Sequence, residues 1–166
     1  MHCTFAARVP RRTGRLNCWM WLPELIKYDK LLLAPGSGMK RWPIEFFEER
    51  DGSRPVRAWL DGLPEAVRGK VLARIDLLAQ HGPTLDHPYT SQIKGKLREV
   101  RLRFGRTRYR VLYFFDEARV GILLHAFTKD TAGIEEIDKR IGQSRMAEHA
   151  ARSTRGQEKG ERRRTS

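Results

Sequence analysis

Three strand-like runs separated by two tight turns, all between Leu97 and Phe127, constrain this chain more than any other feature. In Leu97–Phe104, Val100, Leu102 and Phe104 alternate with Glu99, Arg101 and Arg103, a period of two that sends the first set to one face of a strand and the second to the other. Gly105-Arg106-Thr107 supplies a turn, and Arg108–Phe115 ends in a continuous apolar run of the kind seen where a strand is covered on both faces. Asp116-Glu117-Ala118 turns the chain again into Val120–Phe127. Loops this short join antiparallel neighbours, so these three runs predict an antiparallel sheet.

The flanking segments supply helices. Before the strands, Ile44 and Phe46 alternate with Glu45, which predicts a first strand between Trp42 and Glu48. It belongs at an edge or beside the last strand; periodicity does not choose. Ser53 caps a short helix with Pro55 in its first turn, carrying Val56, Trp59 and Leu60 and stopping at Gly62. Pro64 opens a longer helix in which Val67, Val71, Leu72, Ile75, Leu78 and Ala79 form one stripe, ended by Gly82-Pro83. Ile134, Ile137 and Ile141 mark a final amphipathic helix. The order predicts one α+β domain: an antiparallel sheet of about four strands, a helical pair on one face and a C-terminal helix.

Residues 1–38 read as an N-terminal extension ending in linker chemistry, Ala34-Pro-Gly-Ser-Gly38. Met39 is a second candidate start, and a genuine extension and an over-extended reading frame stand as equal alternatives. The domain proper is expected at 39–150. Residues 151–166 form a basic tail without apolar surface to offset ordering entropy, and disorder is expected there.

Charge is unevenly placed. The chain of 166 residues carries a formal net charge of +13. Between Lys94 and Arg110 stand eight cations (Lys94, Lys96, Arg98, Arg101, Arg103, Arg106, Arg108, Arg110) and one acid, Glu99, whereas residues 41–93 hold 7 basic and 8 acidic side chains. A cationic sheet surface attracts phosphates, and the partner expected from it is a polyanion, RNA above all. No apolar run approaches the roughly 20 residues of a membrane span, and Pro23, Glu24 and Lys27 break up the patch that a signal peptide would need. Both cysteines, Cys3 and Cys18, precede the domain, so no disulfide framework or cysteine metal site supports it; a cytoplasmic location fits. His2, His81, His87 and His149 are too scattered to suggest a metal site.

The pieces Trp42-Pro-Ile-Glu-Phe-Phe, Pro55-Val-Arg-Ala-Trp-Leu-Asp-Gly-Leu-Pro64, Leu97-Arg-Glu-Val-Arg101, Tyr109-Arg-Val-Leu-Tyr-Phe-Phe115 and Leu123-Leu-His-Ala-Phe-Thr-Lys129, in this order, resemble the RelE/ParE superfamily of toxins, in its phage-derived HigB-like branch. The likeness runs over roughly residues 40–150 and implies the toxin of a type II toxin–antitoxin pair. Such a toxin is a ribosome-dependent mRNA endonuclease that needs no metal or cofactor, and a helix-turn-helix, HigA-like antitoxin neutralises it. Cousins of the same fold act on DNA gyrase, so a non-catalytic inhibitor or nucleic-acid-binding regulator remains the alternative, and an inactive scaffold a third.

Metal-free RNA cleavage requires that the ribose 2′-OH lose a proton, that cations stabilise the pentacoordinate phosphorane, and that the leaving 5′-oxygen be stabilised. Matched motif to motif, the resemblance assigns this work to Arg101, to Arg110 as the phosphate grip and to Lys129 after the last strand. Glu99 is a candidate base or an acid that merely orders the arginines, and an ion pair from Glu99 to Arg110 across the hairpin is compatible with either. His125, the one histidine in the predicted strands, is a candidate acid–base group or a packing residue. Lys94, Lys96, Arg98, Arg103, Arg106 and Arg108 are expected to bind RNA, with Tyr109 stacking on a base and Tyr113 in the core. Arg110 is expected on the open cationic face, where its truncation would leave folding intact. The sequence departs from many relatives in having no tyrosine after Tyr113.

Overall fold

The computed structural model describes residues 41–129 and 135–164, with side chains as far as residue 154. The expected extension at 1–38, and Ile134 of the final helix, lie outside these residues. The chain runs β1 (Ile44–Phe46), α1 (Pro55–Asp61), α2 (Glu65–His81), β2 (Thr90–Lys94), β3 (Leu97–Phe104), β4 (Thr107–Phe115), β5 (Gly121–Lys129) and α3 (Glu136–Arg164). It is α+β, but the sheet has five strands and is mixed, in the order β1-β5-β4-β3-β2.

This corrects the expectation of about four antiparallel strands. The three central strands pair antiparallel as the alternation predicts, while β1 lies at the edge, parallel to β5, with Ile44 opposite Gly121 and Phe46 opposite Leu123. The unforeseen strand, β2, pairs antiparallel with β3. Its sequence, TSQIK, has a single large apolar side chain, so no alternation announces it. The free edge of β3 makes it a strand, and Thr90, fully buried, donates its hydroxyl to the Leu85 carbonyl.

The two faces of the sheet are covered differently. On the first face lie α1, against β5, and α2, against β3. Val67, Val71, Leu72, Ile75, Leu78 and Ala79 of α2 are all buried, as their spacing requires. The cap of α1 differs from expectation: Asp51 accepts the Ser53 N–H in a preceding turn, and Arg54 occupies the cap position without a side-chain hydrogen bond. Helix α2 stops at Gly82, whose positive φ of 59° favours glycine and whose missing Cβ leaves room for the Trp42 indole.

The second face is crossed by α3, which lies over β5, β4 and β3. Here the apolar pattern misleads. Ile137 is 62% exposed, and the residues turned to the sheet are Asp138, Gly142, Arg145, Met146 and His149. Gly142 sits in the helix interior because a Cβ there would come within 2.9 Å of Leu112. Arg145 donates to Glu49 and to the Leu124 carbonyl, and His149 stands edge-on to Phe114. A seam of small and polar residues therefore docks this helix, and its backbone stays helical to Arg164 where disorder was expected. Ala, Arg, Gln, Glu and Lys, which make up much of that tail, are favourable helix formers. Among the described residues no helix is long and apolar enough to cross a membrane.

Candidate active site

The pleat and one irregularity decide which side chains share the α3 face. On β3 these are Leu97, Glu99, Arg101 and Arg103, and on β4 Arg108, Arg110, Leu112 and Phe114, which the register places opposite one another or in alternate positions. On β5 the alternation is interrupted. Leu112 pairs with His125 and Tyr113 with Leu123, so Leu124 has no partner and forms a bulge. The extra residue shifts the phase, so that His125, Phe127 and Lys129 join the arginine face instead of Ala126 and Thr128.

Helix α3 covers only part of this face, packing on Leu97, Leu112 and Phe114. Beyond it the register brings cations into direct opposition: Arg101 faces Arg110, Arg103 faces Arg108, and Arg108 faces Lys129. Like charges directly across a sheet repel, so such a stack needs counter-charge. Two acids supply part of it. Lys129 Nζ lies 2.8 Å from Glu135, which is well exposed, and Glu99 serves the arginines.

Glu99 and Arg110 form the floor of the site and are 4% and 5% exposed. Oε1 of Glu99 accepts from Arg110 Nη1 at 2.7 Å and from the Ser91 hydroxyl at 2.8 Å, with Arg101 Nε 3.6 Å away. Its Oε2 is buried with no hydrogen-bond partner among the described residues. The expected cross-hairpin ion pair is present, but Arg110 is a buried group and not an open docking cation. Its truncation strands a buried carboxylate, so the expectation that Arg110 is dispensable for folding does not hold. Arg101, its side chain 37% exposed, is the more accessible partner of the same carboxylate.

His125 lies against α3. A guanidinium can only donate, so Arg145 Nη1, 3.3 Å away, gives its hydrogen to Nδ1, which leaves Nε2 protonated and donating to Asp138 at 3.0 Å. Burial pushes the His125 pKa below its ordinary value, partly offset by Asp138, with Arg145 lowering it further. The ring is thus a neutral strut between β5 and α3 with both nitrogens engaged. It lies beside the cationic stack, on the same face.

The other cations of the Lys94–Arg110 run disperse. Arg98 points to the opposite face, where it donates to the carbonyls of Pro83 and Leu85. Tyr109 is also on that face, tilted against Trp59 at 6.4 Å between ring centres, which removes it from the arginine site. Lys94, the last residue of β2, and Lys96, in the β2–β3 turn, lie at the other end of β3 from Arg103. There they rim a groove of about 660 Å³ with Phe114, Met146 and His149. Arg106 is exposed in the β3–β4 turn. Tyr113 is fully buried in the core, as expected. The structure therefore brings together Glu99, Arg101, Arg103, Arg108, Arg110, His125 and Lys129. It adds Ser91, Phe127, Asp138 and Arg145, which sequence reasoning missed. Among these, only the Phe-Thr-Lys step at 127–129 carried a local signal, and it becomes legible only with the bulge in hand. No group of three or more His, Cys, Asp or Glu among the described residues could hold a metal ion.

Two comparisons with known proteins bear on the chain's family. The chain is 33% identical over 103 residues to a Mycobacterium tuberculosis protein named "Putative toxin HigB2"; the match takes in 58% of this chain and 51% of that protein. The chain thus spans about half the length of the curated relative it matches. Residues 58–147, from the middle of α1 to α3, match a family described as phage-derived protein, Gp49-like (DUF891). That match covers more than half of the chain and all of the cationic stack, and the chain belongs to the phage-derived Gp49-like family.

Proposed function

We propose that this protein is a cytoplasmic toxin of a type II toxin–antitoxin pair, of the HigB-like branch of the RelE/ParE superfamily, and that it cleaves mRNA on the ribosome without a metal. We place the toxin unit at residues 39–150. The observation that carries this reading is the stack of directly opposed cations, Arg101 with Arg110 and Arg103 with Arg108 with Lys129, on the part of the sheet face that α3 leaves uncovered. Glu99 and Glu135 already supply carboxylate to this stack, and a phosphodiester, whose oxygens guanidinium groups grip two at a time, competes for the same cations. The likeness to the HigB2 relative supports the toxin role.

In this mechanism Arg101, Arg103 and Arg108 grip the phosphate at the scissile bond, and Arg110 fixes Glu99 beneath it. The 2′-OH gives its proton to Glu99, whose Oε2 is buried without a hydrogen-bond partner among the described residues and whose Oε1 loses Arg101 when that guanidinium moves to the phosphate. The 2′-oxygen forms its bond to phosphorus, the phosphorane is held by the guanidinium groups, and the bond to the 5′-oxygen breaks as that oxygen takes a proton from solvent water, its developing charge stabilised by the Lys129 ammonium. A 2′,3′-cyclic phosphate and a 5′-hydroxyl result. His125 does not move a proton in this scheme; it holds α3 in place. A helix-turn-helix, HigA-like antitoxin with acidic surface is the complementary partner.

Single-turnover cleavage on programmed ribosomes tests the assignment, because saturating enzyme removes the binding contribution. Arg101→Ala and Lys129→Ala are expected to lower the saturated rate by about 10²–10³. The control, Arg106→Ala in the exposed turn, weakens binding only. Wild-type rates for both site variants at saturation would reduce the stack to a docking surface. In cells, induced expression should give new mRNA 5′ ends inside translated codons; gyrase-dependent DNA damage in their place would overturn the nuclease reading.

A further inference from the structure

We propose that Phe127 is a base-stacking platform, so that the site engages an unpaired RNA base next to the phosphate it holds. This inference rests on the nuclease reading and specifies how single-stranded RNA is held there. Phe127 lies directly opposite Arg110, with Lys129 the next residue along the same face and Arg108 opposite Lys129. It is half-buried, packed on one side against the apolar core. The other large aromatics of the described residues are placed elsewhere. Phe47 and Phe114 are buried, Tyr113 and Phe115 pack edge to face, Tyr109 lies on Trp59, and Phe104, under Lys70, is on the opposite face.

The open part of this apolar ring, on the same face as four arginines and a lysine, is unfavourably hydrated. It is, however, what a nucleotide requires: a π-face for the base within one residue step of cations for the phosphate. The ring is also held ready. It stacks on His125 at 5.6 Å between centres with 29° between planes, and His125 is pinned at both nitrogens by Asp138 and Arg145. A platform fixed in advance loses little freedom when a base arrives. The bulge at Leu124 delivers Phe127 and Lys129 to this face together, which couples the stacking group to the phosphate group in one backbone feature.

The test uses the full-length protein and short single-stranded ribo-oligonucleotides with the fluorescent base 2-aminopurine walked through each position. Wild type and Phe127→Trp should quench the fluorophore at one position, as stacked bases do. Phe127→Leu should abolish that quenching and weaken binding by about 5- to 150-fold, the range for loss of one base–aromatic stack. An oligonucleotide abasic at that position guards against misfolding of the variant, because it should bind wild-type protein as weakly as Phe127→Leu binds the intact strand. Unchanged affinity and quenching in Phe127→Leu, or an abasic strand bound by wild type as tightly as the intact one, overturns the proposal. If these results come with salt-sensitive binding that Arg108→Ala weakens, only the stacking inference falls. If wild type binds no oligonucleotide at any position, the stacking proposal falls, and cleavage on programmed ribosomes still decides the nuclease reading on its own.

Discussion

Removing the Glu99 carboxylate probes the center of the site and the center of the sheet at once. Glu99 is 4% exposed, and its Oε1 holds Arg110, itself 5% exposed, at 2.7 Å. At such burial solvent screening is slight, and deleting one member of a buried ion pair destabilises by about 3–5 kcal/mol because the survivor keeps its desolvation penalty. The survivor here is worse placed than usual, since Arg101 lies directly across from Arg110 and loses the same carboxylate. Glu99→Ala should therefore fall at the upper end of that range. For a domain of this size that is roughly 10–25 °C in melting temperature. Arg110→Ala should lose a similar amount, whereas Glu99→Gln, which keeps an acceptor for Arg110, should lose less. The double variant Glu99→Leu/Arg110→Met should recover most of the stability, because an apolar pair of similar volume replaces a buried ion pair at little net change. Urea denaturation with matched slopes reads all four. If each single variant loses less than about 1 kcal/mol, or the double variant loses the sum of the singles, the pair is not the buried unit described here. The double variant also separates folding from function: it should fold and fail to cleave.

Three further outcomes follow from the same coordinates. Leu78→Ala, which empties a fully buried position of α2, should destabilise by about 2–5 kcal/mol in chemical denaturation and leave the per-molecule cleavage rate of the folded protein unchanged. Gly82→Ala should destabilise by about 2–4 kcal/mol, combining a strained positive φ with overlap onto Trp42, and a loss below about 1 kcal/mol would contradict that packing. His125 is held below its ordinary pKa of 6.5 by burial, so the unfolded chain takes up the proton first as pH falls. The stability His125 contributes is thus present above about pH 6.5 and is lost as pH drops through its folded pKa. Melting curves across that window should show a steeper acid loss for wild type than for His125→Gln, and parallel curves would remove His125 from the α3 anchor.

Much of this protein is written in local pattern. The hairpins between Leu97 and Phe127 follow from period-two alternation and two turns, and the six core positions of α2 from helical spacing, because each signal lies within a few residues of chain. The concentration of cations near β3 and β4 is likewise visible without a structure. What the sequence could not decide was how those cations divide. Strand pairing across non-local segments made β2, set β1 parallel to β5, and buried Arg110 against Glu99 while Arg98 and Tyr109 turned to the opposite face. Helix α3 was misread for a related reason: its isoleucines suggest an apolar seam, yet Gly142, Asp138 and Arg145 are the residues whose shape and charge the sheet accepts. The single unpaired residue at Leu124 matters most. A bulge is a property of two strands in register, invisible in either one alone, and it turns His125, Phe127 and Lys129 toward the arginines and so completes the candidate site.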